Sequence, residues 1–291
     1  MKNISIITDS CSDLPINLLK EMDIKIIPQH YRFDDQTEYG GGKEISRSEF
    51  YSRIRNGEIA QTSACSPSSA VSILKQELDK GNDLICIPIS SALSCTYNVI
   101  RMAALELADE YPEQKIAVID SLTASIAQGM MIYTACRMRN EGQAFEEIVD
   151  HIESHKSSYH IEFFVDDLGC LARGGRLNPA LAKIGGVLGI KPILYVTDQG
   201  TIEVCAKGRR VSGAKKIMKE RFLASHAEQS SIVGIVHADN LESALALKKE
   251  LELEDEFEHV FISELCPAIG SHTGADCLGL AYIKKHDQSM M

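Results

Sequence analysis

Four short clusters of hydroxyl side chains carry the first chemistry visible in this sequence: Thr8-Asp9-Ser10, Gln61-Thr62-Ser63, Ser90-Ser91 with Ser94 and Thr96, and Asp120-Ser121. A hydroxyl both donates and accepts hydrogen bonds, so such clusters either cap helices or hold an anion without using charge. Taken singly, each reads well enough as a helix cap. Each also follows a segment with strand character, and in an open α/β sheet such loops gather on one edge, where ligands bind. Helix starts beside them would add free N–H groups and a positive dipole end.

The missing cations narrow the choice of anion. No Lys or Arg occurs between Arg55 and Lys75, or between Lys80 and Arg101, where a triphosphate would need them. The nearest approach to a phosphate loop is residues 208–213, but Ala214 stands where lysine belongs, and Lys215 is followed by Lys216 rather than Ser or Thr. No G-x-G-x-x-G follows a strand. A singly charged group such as a carboxylate suits these loops better than a nucleotide.

A second feature is His272, set between Gly270 and Gly274. Its imidazole can donate to a carboxylate, and a nearby anion would raise its pKa and strengthen that bond. The order Ser…His also allows a serine hydrolase acting on a lipid ester through Ser94 or Ser63 with His272. The absence of a G-x-S-x-G elbow weakens that alternative. A third feature is charge asymmetry. Residues 170–219 hold ten Lys and Arg against Asp198 and Glu203, a local +8 in a chain of net charge -11. Such a segment is expected to face a phosphorylated ligand or an acidic partner. One helix face explains Lys215, Lys216 and Lys219, but Arg173 and Arg176 lie in a glycine turn. His151 and His155, four apart, read as a wet helix surface rather than metal ligands.

These residues need positioning, and the pattern supplies the elements. Short β-branched runs at residues 4–7, 24–28, 84–89 and 116–119 alternate with amphipathic stretches, as in a parallel α/β sheet. Asp13 with Pro15, Ser46-x-x-Glu49 and Ser66-Pro67 are helix starts, and Gly57, Gly81 and Gly142 are stops. Helices are expected at 96–108, 123–139 and 145–157. Beyond residue 160 come a strand to 165, a glycine turn at 174–175 and a helix over 178–188. Strands 193–197 and 201–206 then flank a turn, so the second sheet is partly antiparallel. Helices at 212–224 and 240–251 enclose a strand at 231–236, and two final strands surround a glycine-rich loop at 266–279. With 291 residues, two α/β domains are expected, 1–157 and 158–291. Nine cysteines without a C-x-x-C pair read as reduced core residues rather than a zinc or redox site. The acidic balance argues against nucleic acid. The longest apolar run is too short for a membrane helix, and no secretory signal is visible, so a cytoplasmic location is expected.

Taken in order, these motifs resemble those of the DegV family, whose members are known as fatty-acid-binding proteins and as binding subunits of bacterial fatty acid kinase. The likeness runs through Asp13-Leu14-Pro15, Ser66-Pro67, Leu93-Ser94-Cys95-Thr96-Tyr97, Leu171-Ala172-Arg173-Gly174-Gly175-Arg176, Ile190-Lys191-Pro192 and Ile269-Gly270-Ser271-His272, and covers nearly the whole chain. It implies a long-chain fatty acid in an apolar tunnel, with its carboxylate at Thr62, Ser63, Ser94 and Thr96 and with Gly270 and His272 nearby. It implies no cofactor, no metal and no catalysis by this chain. A separate ATP-using kinase subunit would make the acyl phosphate for phospholipid synthesis, with Arg173, Arg176, Arg209 and Arg210 facing that partner or the phosphate. Three departures stand out: Cys95 replaces the usual glycine, where it would narrow the head-group pocket, Cys65 a common proline, and Ala275-Asp276 the frequent Pro-Gly. Asp276 is expected to bring a negative charge near His272.

Overall fold

Alternation of side chains along each strand decides how the chain is layered. The computed structural model describes residues 3–177, 189–228 and 230–285, so the helix expected at 178–188 lies outside the described residues. Strands β1 (Ile4–Asp9), β2 (Lys25–Ile27), β6 (Asp83–Cys86) and β7 (Ile116–Val118) form an all-parallel sheet in the order β2-β1-β6-β7. Its odd and even residues face different cores. Ile7, Leu84 and Cys86 pack under α3 (Pro67–Leu78) and α4 (Thr96–Glu110), whereas Ile6 and Ile85 face the opposite layer.

That opposite layer is α5 (Ser125–Asn140), buried along most of its length. It also packs on the second sheet, so one core runs through both halves. The second sheet contains β8 (Tyr159–Phe164), β9 (Ile190–Val196), β10 (Ile202–Arg209), β11 (Ile232–His237), β12 (His259–Glu264) and β13 (Leu278–Ile283), in the order β10-β9-β8-β13-β11-β12. Only β11 and β12 run parallel. Its outer face is covered by α8 (Arg210–Ser225) and α9 (Leu241–Glu250). The fold is therefore two α/β domains, the first with a parallel sheet and the second partly antiparallel. The chain changes sheet after α6 (Phe145–His155).

Several local expectations change. Asp13 does not cap α1 (Ile16–Glu21), whose N-cap is Pro15. It takes a left-handed conformation (φ 48°), and its carboxylate instead accepts from Ser125 Oγ at 2.6 Å and Cys266 N at 2.7 Å. Gln61-Thr62-Ser63 is itself a strand, β5, in a small antiparallel sheet with β3 (His30–Arg32) and β4 (Glu38–Tyr39). The segment before Gly174 is a helix, α7 (Leu168–Arg173). The short α10 (Leu253–Glu256) follows α9, and the presumed glycine loop contains α11 (Pro267–Thr273).

Candidate functional site

The loops at the carboxyl ends of β1 and β6, the start of α5, strand β5 and helix α11 converge between the two large sheets around one cavity. Helix α11 is the key element. Proline at its first position suits a helix start, Asp13 holds the N–H of Cys266 just before it, and Gly274 (φ 73°) ends it. Gly270 packs the helix onto α2 (Arg47–Arg55): a Cβ there would lie 2.6 Å from the Tyr51 hydroxyl and 2.9 Å from Phe50 Cε1. This seating turns His272, in the last turn, toward β5.

His272 Nε2 lies 2.9 Å from Thr62 Oγ1. The other ring nitrogen, Nδ1, is buried with no hydrogen-bond partner among the described residues. Burial, with the Arg176 guanidinium as the second cause, pushes the imidazole pKa down to about 4. The ring is thus neutral. A stranded N–H donor is costlier than a stranded acceptor, so the proton belongs on Nε2, donating to Thr62. The Thr62 O–H is then free to donate into the cavity. The sequence-based expectation of a raised histidine pKa assumed an anion beside the ring; in the chain alone the nearby charge is a cation.

Ser94 approaches from the loop before α4. Its Oγ donates to Thr96 Oγ1 at 3.0 Å and accepts from Thr96 N at 3.2 Å, which places it at the helix N-terminus. Thr62, Ser63, Ser94, Arg176 and His272 line the polar part of the cavity. The walls are apolar, with Ile89, Leu93 and Ala124 from the first domain, and Ile161, Phe163, Val196, Ile202 and Val236 from the second sheet. The space, with its mouth and the solvent standing in it included, is about 780 Å³. A hydrogen bond with Cys266, then burial, pushes the lining thiol of Cys11 up, and burial does the same to Cys277, so both stay protonated.

The remaining expected site residues lie elsewhere. Thr96 is fully buried behind Ser94, and Gly270 faces α2; neither lines the cavity. Arg173 is exposed in an outer cleft that shares Thr62, Arg176 and His272 with the cavity, and it pairs with Asp167 at 3.6 Å. Arg209 and Arg210 are exposed where β10 meets α8 and line neither space. Arg176 is turned inward: its Nε donates to Leu93 O at 3.0 Å and its Nη1 to Gly174 O. Cys95 is exposed and does not narrow the cavity. Asp276 pairs with Arg55 at 3.1 Å, so its charge is answered locally. Sequence reasoning missed Gln29 and Ser125, both in the cavity lining. Ser125 opens a helix in the left-handed region (φ 58°), which no local pattern announces.

No hydrogen bond joins Ser94 or Ser63 to His272 among the described residues, and His272 is held by Thr62 rather than by a carboxylate; the serine-hydrolase arrangement is not assembled. No cluster of three or more metal-ligating side chains occurs among the described residues, and none of the described helices is long and apolar enough to cross a membrane.

Fold and cavity together define a class: two-domain α/β proteins with an apolar chamber between the sheets, closed at one end by uncharged hydroxyls. The chain belongs to the DegV family; the model described as "Uncharacterised protein, DegV family" matches residues 3–285. A DegV domain-containing protein of Clostridium perfringens is 33% identical over 291 residues, covering 97% of this chain and 98% of the relative. Among solved structures, a Thermus thermophilus DegV family protein described by its fatty acid binding superimposes with a TM-score of 0.86 at 28% identity, covering 97% of this chain and 99% of that one. A stearic-acid-binding protein of Eubacterium ventriosum gives 0.85 at 27% identity, covering 98% and 99%.

Proposed function

We propose that this chain binds a long-chain fatty acid, with the acyl tail in the cavity and the carboxylate at Thr62, Ser63, Ser94 and His272. The observation that carries the reading is the His272–Thr62 pair at the polar end of an otherwise apolar chamber. It leaves a threonine hydroxyl pointed inward with no need of a nucleotide or a metal. Residues 1–157 and 158–291 are taken as the two walls, and the structures of similar relatives support the ligand class. Burying a methylene contributes roughly 0.8 kcal/mol, so a chain of ~14 supplies ~11 kcal/mol gross, from which the ordering terms of association are subtracted. The tail gives affinity and the hydroxyls fix which end faces out.

In this reading the chain has no catalysis of its own. It presents the carboxylate through the outer cleft, where Arg173 lies, to a separate ATP-dependent fatty acid kinase subunit that forms the acyl phosphate. The first test is organic extraction of protein purified from bacteria, followed by mass spectrometry, with about one long-chain fatty acid per chain expected. Protein that is empty and also fails to take up added fatty acid refutes the reading. Absence of acyl phosphate when loaded protein is mixed with such a kinase subunit and ATP refutes the kinase role alone.

A further inference from the structure

Away from its head-group end the cavity still has a polar lining group, Gln29. This residue is 7% exposed, lies just before β3 and is held at two points. Its backbone N–H donates to Ser10 Oγ at 3.0 Å, and its side-chain Nε2 donates to Asp9 Oδ1 at 3.2 Å. Asp9, fully buried at the end of β1, also takes the backbone N–H of Cys11 at 2.8 Å on Oδ1 and that of Ile89 at 2.7 Å on Oδ2. A carboxylate that accepts on both oxygens offers no proton, so the amide must turn its NH₂ to Asp9. The carbonyl Oε1 is then the end left to the cavity, and it has no hydrogen-bond partner among the described residues.

Nearby hydroxyls of the lining have no proton to spare for it. Ser125 donates to Asp13 at 2.6 Å, and Thr273 turns its hydroxyl to the carbonyls of Ile269 and Gly274, each at 3.3 Å. An amide oxygen covered only by methylenes loses its water without compensation, which is costly. Resting on the fatty-acid reading above, we propose that Gln29 is a second recognition point of the chamber: its ligand is a hydroxy fatty acid, whose chain hydroxyl donates to Oε1 while the carboxylate stays at Thr62 and Ser94. Strand register locates that hydroxyl. Tyr31 pairs with Thr62 and His30 with Ser63, so Gln29 comes one step further on, about 7 Å along the strand from the level of Thr62. The matching hydroxyl therefore belongs several carbons down the chain. Asp9 is the positioning residue behind it, since it decides which end of the amide meets the ligand.

The test compares palmitic acid with its monohydroxy isomers, from the 2-hydroxy to the 10-hydroxy acid, by displacement of a fluorescent fatty acid. A hydroxyl that finds no partner in an apolar chamber is expected to weaken binding roughly tenfold or more. Wild type should bind one isomer, or two adjacent ones, within about threefold of palmitic acid or more tightly, and the rest about tenfold or more weakly. Gln29→Met keeps the length of the side chain and removes the carbonyl. It should bind palmitic acid up to about tenfold more tightly and hold the favoured isomer no better than the others. If the methionine variant fails to fold, the isomer profile of wild type decides alone. A wild-type profile that is flat, or that peaks only at the 2-hydroxy acid, overturns the proposal, as does a peak that persists in Gln29→Met. If wild type takes up neither palmitic acid nor any isomer, the fatty-acid reading itself fails, and this inference with it.

Discussion

Gly174 gives the sharpest handle on how His272 is held. A Cβ at this position would lie 2.8 Å from His272 Cε1 and closer still to Nδ1, well inside the ~3.5–4.0 Å of an unstrained contact. In Gly174→Ala the ring must therefore recede by roughly 1 Å, or the end of α7 must move by as much. A shift of that size breaks the 2.9 Å contact with Thr62 and frees the Thr62 hydroxyl to turn away from the ligand. The steric insertion is expected to cost about 1–3 kcal/mol of stability, and the lost orientation about tenfold in fatty-acid affinity. Gly175 is the matched control. Its φ of 73° is left-handed, but a Cβ there meets nothing within 4 Å. Gly175→Ala should lose roughly 1–2 kcal/mol through backbone strain and bind as wild type does. Thermal unfolding and displacement of a fluorescent fatty acid, measured on both variants, separate the two effects. A Gly174→Ala protein with unchanged affinity, or two variants whose affinities fall in step with their stabilities, would refute the argument that position 174 acts through the imidazole.

Two further outcomes are expected. Thr62→Val keeps the shape of the side chain and removes its hydroxyl, so fatty-acid affinity should fall about tenfold; an unchanged Kd in titration calorimetry would remove Thr62 from the site. Asp13 supplies a pH test of the contact between the domains. Burial raises its pKa from 3.8 to about 6, against the opposing pull of Arg47 and the Ser125 hydroxyl. The folded carboxyl holds its proton more tightly than the unfolded one, so its contribution to stability is full below about pH 4 and is lost as pH rises through about 6, a change of up to ~3 kcal/mol. Asp13→Asn should flatten that part of the curve while keeping an acceptor for Cys266 N. Thermal melts from about pH 4 to 7 that run parallel in the two proteins would contradict it.

What could be read from the sequence, and what could not, divides by the distance over which each residue acts. Ser46 and Ser66 cap their helices through N–H groups three residues on, at 3.1 Å each, and both starts were legible because cap and helix share one short window. The alternation of Ile6 and Ile7 between two cores is equally local, as is the turn joining β9 to β10. Strand β5 was not legible. Gln-Thr-Ser has no apolar alternation, and it becomes a strand only because β3, about thirty residues away, pairs with it. Helix α11 was hidden by Gly270 and Gly274, which read as loop formers, yet Gly270 is needed for the close approach of Phe50 and Tyr51. Asp13 looked like a helix cap because its neighbours allow one; its real partner, Cys266, is 253 positions away. The hydroxyl of Thr62 and the ring of His272 were both legible as chemistry, but their pairing spans 210 positions. Arg176 was legible as charge and was assigned to the outside, because the sequence holds no sign of the carbonyl of Leu93, 83 residues earlier, that draws it in. A cavity lined from both sheets is assembled from such long-range pairs. Its residue types can therefore be named from sequence, whereas the direction each one faces is set by the partner that the fold brings to it.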